Sequence, residues 1–140
     1  FRLSYAFMRR FAAVNVPGLD DEALRRVAQR TGEKRGIATD RWEFANRVLS
    51  RAHGLGDAVD LGPALLIDLL EYASKRPDAS TERAIGEGIE VLVFPQLEGA
   101  EDDRAQEVLA RLDRLFTADA AVLRELHASL RSYFPHLKRA

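Results

Sequence analysis

From Asp20 onward, every strongly periodic stretch repeats its apolar residues at three and four positions, the rhythm of a helix with one buried face. A chain written this way is confined to an all-α body beyond that point. Asp20 suits the N-cap of a first helix whose inner face is Ala23, Leu24, Val27 and Ala28, with Gly32 as a left-handed C-cap. Residues 33–38 are charged and contain Gly36, the composition of a loop. Asp40 and Glu43 then provide a capping-box-like start for a second helix. It should turn Phe44, Ala45, Val48, Leu49 and Ala52 inward until Gly54 and Gly56 stop it. Gly62-Pro63 restarts helical structure, because proline is well tolerated at the first helical position. The stripe that follows, Leu65, Leu66, Leu69, Leu70 and Ala73, is the broadest in the chain and predicts the most buried helix, ended by Lys75-Arg76-Pro77.

Ser80 or Thr81 opens the next helix, whose face is Ile85, Ile89, Leu92 and Val93. Gly86 and Gly88 lower its intrinsic propensity, so they imply close packing against neighbours. Pro95 disfavours helical geometry at Phe94 and predicts a corner over residues 94–99. Two further helices carry Val108, Leu109, Leu112, Leu115 and Phe116, then Leu123, Leu126, Leu130 and Phe134, the last closed by Pro135. The charge-dense residues 98–104 read as a solvated loop and helix start. Trp42, with Phe44 nearby, is a candidate inter-subunit anchor, since aromatic residues concentrate at interface centres. Tyr133, Phe134 and His136 are better explained by burial of the last helix than by a docking tail.

An apolar share of 46% over 140 residues is enough to build a core without covalent staples. With no cysteine there is no thiolate metal site, and the three histidines, His53, His127 and His136, lack ligand spacing, so no metal is expected. The 21 basic and 22 acidic side chains nearly cancel, which speaks against a wholesale nucleic-acid footprint. No apolar run approaches the roughly 20 residues a membrane span needs. A cytoplasmic protein without membrane contact is expected.

Ahead of this helical body stands Leu3-Ser-Tyr-Ala-Phe-Met-Arg-Arg-Phe-Ala-Ala-Val-Asn-Val-Pro17, a short helical pattern that runs through Arg9 and Arg10 into a β-like run over residues 11–16. A strand so close to the start of the sequence needs partners, so the chain is expected to be the C-terminal piece of a larger protein. A guanidinium is permanently charged and its planar fork matches phosphate oxygens, which suits it to stabilise charge in phosphoryl transfer when supplied in trans. On pattern alone, two arginines at a helix end are better explained by the negative end of the helix dipole.

The Arg9-Arg10-Phe11 strand entry resembles the end of the nucleotide-binding core in AAA+ ATPases, most closely the branch with the MoxR proteins and the McrB restriction GTPases. Two later stretches extend the likeness to the α-helical lid of that family. These are Gly62-Pro63-Ala64-Leu65-Leu66-Ile67-Asp68-Leu69-Leu70-Glu71-Tyr72 and Ile89-Glu90-Val91-Leu92-Val93-Phe94-Pro95-Gln96-Leu97-Glu98-Gly99. The resemblance covers most of residues 1–99 and implies a mainly α fold. That fold is a lid-like helical bundle over residues 18–140, preceded over residues 1–17 by the arginine-finger helix and last strand of an α/β core. It assigns Arg10, with Arg9 as companion, to the γ-phosphate of a neighbouring ring subunit, though spacing does not separate the two. ATP and Mg²⁺ would bind upstream, and ring movement would remodel a protein or nucleic-acid client. Many lids carry a sensor arginine at the start of the helix matching residues 63–72. Here Gly62, Pro63 and Ala64 stand there, leaving only the backbone NH groups of a helix start to face a phosphate.

The residues themselves contain no glycine-rich phosphate loop, Gly32-Glu33-Lys34-Arg35-Gly36 lacking both its spacing and its Lys-Ser/Thr ending, so the chain alone should not hydrolyse ATP. Two other readings stand beside the lid. One is a non-enzymatic helical interaction module in which Arg9 and Arg10 merely cap a helix. The other is a nucleic-acid binder using Arg25, Arg26, Arg30, Lys34 and Arg35 as a basic strip.

Overall fold

The computed structural model describes residues 19–59 and 61–137. The expected helix and strand of residues 3–16, Arg9 and Arg10 among them, lie outside the described residues. Within them run six α-helices, α1 (Asp21–Arg35), α2 (Thr39–Leu49), α3 (Pro63–Ser74), α4 (Thr81–Leu92), α5 (Asp102–Leu115) and α6 (Ala120–Tyr133). A 3-10 turn, Phe94–Leu97, follows α4 at the predicted corner, where Pro95 sits in its first turn and Phe94 and Leu97 are buried. There is no strand among the described residues. No described helix is long and apolar enough to cross a membrane.

Buried residues from Leu24 to Leu137 form one continuous cluster. Helix α4 is its shared wall, packing on α2, α3, α6 and the 3-10 turn, while α1 closes over α2 and α3 and α5 pairs with α6. The stripe on α3 is fully inward: Leu66, Leu69, Leu70 and Ala73 have no exposed surface, and Leu65 is buried. The two glycines of α4 permit close approach. A Cβ at Gly88 would lie 2.4 Å from Leu69 Cδ1, and one at Gly86 2.7 Å from Val122 Cγ1, so a methyl group at either would force the facing side chain to move within a packed core. Phe44 and Phe116 meet edge-on, centroids 5.2 Å apart, joining α2 to the end of α5.

Two caps form as the composition predicts. Asp20 accepts from Ala23 N at 2.7 Å, and Ser80 from Arg83 N at 3.2 Å. Three boundaries and several residue roles differ. Gly32 does not end α1; the helix continues to Arg35 and Gly36 adopts the left-handed cap at φ 65°, so residues 33–35 are helical where a loop was expected. Gly32 is needed for a different reason, since its missing side chain makes room for Trp42. Helix α2 starts at Thr39 behind Ala38, which makes no side-chain cap, and the predicted capping box is spent elsewhere. Asp40 accepts from Thr81 Oγ1 at 2.7 Å, and Glu43 pairs with Arg25 at 3.6 Å.

The same helix ends at Leu49, well before Gly54 and Gly56, and Ala52 is exposed in the following turns. The early stop follows from Ser50, whose hydroxyl donates to Arg47 O at 2.9 Å and accepts from His53 N at 3.3 Å. Asp21 reinforces it, its carboxylate accepting from Arg51 N at 2.8 Å and Ala52 N at 3.0 Å. Trp42 and Phe44 are core residues, 5% and 7% exposed, and not a surface anchor. Phe134 is buried at the end of α6 while Tyr133 stays 41% exposed.

The Gly32–Trp42 contact yields a stability prediction in which two effects oppose. Gly32→Ala gains roughly 1 kcal/mol of helix propensity. Its Cβ, however, would lie 2.5 to 3.0 Å from Cδ1, Cγ and Cβ of Trp42, a buried side chain whose near atoms are fixed to the backbone of α2. Overpacking of this kind costs about 1–3 kcal/mol. The variant is expected to unfold at lower urea concentration than the parent chain, with altered fluorescence from Trp42, the single tryptophan. An unchanged or raised midpoint would count against the packing argument.

Candidate functional site

Of the residues singled out in the sequence, Gly62, Pro63 and Ala64 fall among the described ones and form the N-terminal turn of α3. Gly62 is the N-cap with extended backbone (φ −83°, ψ 167°), makes no side-chain cap, and a Cβ there would meet nothing within 4 Å. Gly62 and Ala64 are exposed. The turn therefore opens outward, and no acidic residue occupies it. Its donor capacity is small: proline has no NH, and Leu65 N already donates to Gly62 O at 3.2 Å. What this turn can offer an anion is the amide of Ala64 and the positive end of the α3 dipole. Arg9 and Arg10 lie outside the described residues, so nothing in the geometry brings the two halves of the predicted site together.

The described residues do show charged side chains that bind backbone. Arg41, in the first turn of α2, donates from Nη1 to Ala73 O and Arg76 O, both at 2.9 Å, and from Nη2 to Ala79 O at 2.6 Å. One guanidinium thus satisfies carbonyls at the C-terminal end of α3 and in the α3–α4 connection, groups that a helix end leaves without partners. It borders a surface cleft of 280 Å³ lined also by Arg35, Ile37, Asp40, Ser74, Pro77 and Thr81. Arg41 sits at the positive end of its own helix, which disfavours a cation. That misplacement is the one sequence signal that a tertiary acceptor exists.

Glu82, in the first turn of α4, is the counterpart anion. Its side chain is buried, and its two oxygens accept from Thr117 N and Ala118 N at 3.0 Å and from Asp119 N at 2.9 Å. Successive NH groups turned toward one point make an anion-binding concavity, which Glu82 fills from within the chain. Asp119 then caps α6, accepting from Ala121 N and Val122 N. Nothing in the local sequence separates Glu82 from an ordinary first-turn acid. A third tie is Arg111 on α5, which reaches Gly54 O at 2.5 Å, Glu107 Oε1 at 2.6 Å and Asp57 Oδ2 at 3.3 Å.

The basic strip on α1 is largely engaged. Arg25 pairs with Glu43 and lies over the Trp42 ring at 5.6 Å, Arg26 pairs with Glu22 at 3.6 Å and Arg35 with Glu71 at 3.4 Å. Arg30 and Lys34 have no ion-pair partner among the described residues. His127 Nε2 lies 2.9 Å from Asp113 Oδ1, joining α6 to α5. No group of three or more His, Asp or Glu side chains among the described residues is arranged to hold a metal ion. No protein-family model, curated protein or solved structure matches the chain.

The Glu82 geometry predicts a large cost for its removal. Glu82→Ala leaves three part-buried NH groups without their acceptor, at roughly 1–3 kcal/mol for each one that water fails to reach. The midpoint of chemical denaturation should fall steeply, whereas Glu82→Gln should recover only part because its NH₂ group faces donors. Equal midpoints for the parent chain and Glu82→Ala would show the contact to be energetically silent.

Proposed function

We propose that the chain is the C-terminal part of a AAA+ NTPase of the MoxR/McrB-like branch, contributing the end of the core and an α-helical lid. In this reading residues 1–17 supply an arginine in trans, Arg10 with Arg9 as its companion, to nucleotide held by the next subunit. ATP and Mg²⁺ bind in the preceding part of the full-length protein. The lid follows the nucleotide state and passes it around a homo-oligomeric ring that remodels a protein or nucleic-acid client. The parent protein is a cytoplasmic ATPase, and residues 18–140 act by contact and movement.

The observation that carries the reading is the Arg9-Arg10-Phe11 sequence placed ahead of a body built of helices. Two features add support. The segment resembling the family's "Leu-Pro-Gln-Leu-Glu-Gly" stretch forms a packed corner, with Phe94 and Leu97 buried and Gly99 at φ 81°. The start of α3, where many lids carry a sensor arginine, is open to solvent and free of acidic residues, so a phosphate could approach it without repulsion from that turn.

A trans arginine is worth on the order of 10³ to 10⁵ in kcat in related phosphoryl-transfer systems. In the full-length protein, replacing Arg9 and Arg10 by alanine is therefore expected to abolish ring-stimulated hydrolysis while nucleotide binding persists. Steady-state turnover and equilibrium binding of a fluorescent nucleotide analogue measure the two separately. Undiminished turnover would remove the finger assignment and favour a helical interaction module without nucleotide chemistry.

A further inference from the structure

Helix α1 carries a ridge of cations on its outer side. Arg26, Arg30 and Lys34 follow one another at intervals of four residues, about 6 Å of rise each, and all three are exposed. They lie about 200° around the helix from the buried ridge of Leu24, Ala28 and Gly32, on the side away from the core. The other two basic residues of α1 are committed, Arg25 to Glu43 and the Trp42 ring, Arg35 to Glu71. The acids of the helix do little to offset the ridge. Asp21 is turned to the NH groups of Arg51 and Ala52, and Glu33 accepts from Gln29 Nε2 at 2.9 Å. Glu22 alone shares the ridge, 3.6 Å from Arg26, in a pair whose two side chains are so exposed that it is worth little. Arg30 and Lys34 have no ion-pair partner among the described residues.

We propose that this ridge is a docking surface for the phosphate backbone of a nucleic-acid duplex. Two observations favour a duplex over an acidic protein and over a single strand. Every exposed residue of α1 is an arginine, a lysine or a glutamate, so the face lacks the apolar or aromatic centre on which protein interfaces depend. Single strands are held largely by bases stacked on aromatic rings, and Trp42, the ring packed against α1 at Gly32, is 5% exposed and lies beneath Arg25.

A duplex carries one negative charge for roughly every 1.7 Å of its axis, so the roughly 12 Å from Arg26 to Lys34 reaches several phosphates whatever the base sequence. Release of the counterions on those phosphates supplies the affinity, and contacts of this kind position a duplex without reading it. The near-zero net charge of the chain confines the attraction to this local ridge. The inference does not rest on the ATPase reading, because duplex binding is measured without nucleotide.

Fluorescence anisotropy of a labelled, mixed-sequence DNA duplex titrated with the intact chain tests it. Three phosphate contacts give a slope of about −2.7 for log K against log salt, about a 40-fold loss of affinity between about 50 and about 200 mM. Arg30→Gln and Lys34→Gln should each weaken binding and reduce the slope by about 1. Lys34→Arg should retain both, which separates loss of charge from loss of fold, and Arg104→Gln, at an exposed position of α5, should leave the slope unchanged. Absence of binding at about 50 mM salt, or an equal loss in Arg104→Gln, overturns the proposal. So does tighter binding of the separated single strands, or competition by polyglutamate as effective as by unlabelled duplex.

Discussion

The close approach of α4 to its neighbours is the constraint on which the rest of the body depends. Gly86 and Gly88 let α4 lie so near α6 and α3 that a single added Cβ would stand 2.7 Å from Val122 or 2.4 Å from Leu69. Helix interiors seldom keep glycine, because each costs on the order of 1 kcal/mol in propensity. Here the cost is offset by the contact area that two facing helices gain when their backbones come together. The same device recurs one layer away, where Gly32 seats Trp42 and fixes α1 on α2. With both contacts made, α4 is walled by α2, α3, α6 and the 3-10 turn, and Ile85 and Ile89 are wholly buried.

Charge performs a second task in this fold. Arg41, Glu82, Asp21 and Arg111 all direct their formal charge at backbone groups in connectors and helix ends. Such groups have no partner within their own helix, and when partly buried they gain most from a charged hydrogen-bonding partner. Each tie spans at least 30 residues of sequence, so together they fasten the connections between α2 and α3, α3 and α4, and α5 and α6 to distant helices. Ties of this kind oppose local opening of the connectors. In the proposed role, where nucleotide state must pass through a lid without being absorbed by loose loops, that property is the one required.

Legibility in the sequence varied with the range of the forces involved. Helices α3, α4, α5 and α6 were readable because their faces repeat over ten or more residues and water imposes that repeat wherever the helix packs. The caps at Asp20 and Ser80 were readable because a cap is a contact across three residues. The assignment of Gly32 as a terminator failed for lack of one long-range fact, that Trp42 occupies the space beside it. The end of α2 was misplaced because Asp21, some 30 residues away, caps the NH groups that follow Leu49. Of the candidate site, the Gly62-Pro63 helix start was legible down to the residue, whereas Glu82 carried no local mark of its tertiary partners and Arg41 only its unfavourable place at the positive end of its own helix.

By itself the sequence determined the helical class, the inward face of each helix and the corner at Phe94-Pro95, since these rest on periodicity, burial and the fixed geometry of proline. Only the tertiary structure decided which glycine turns a chain and which admits a neighbour. It alone decided which first-turn charge serves its own helix and which reaches across to another. Those choices depend on distances between residues far apart in the chain, and no local pattern encodes them.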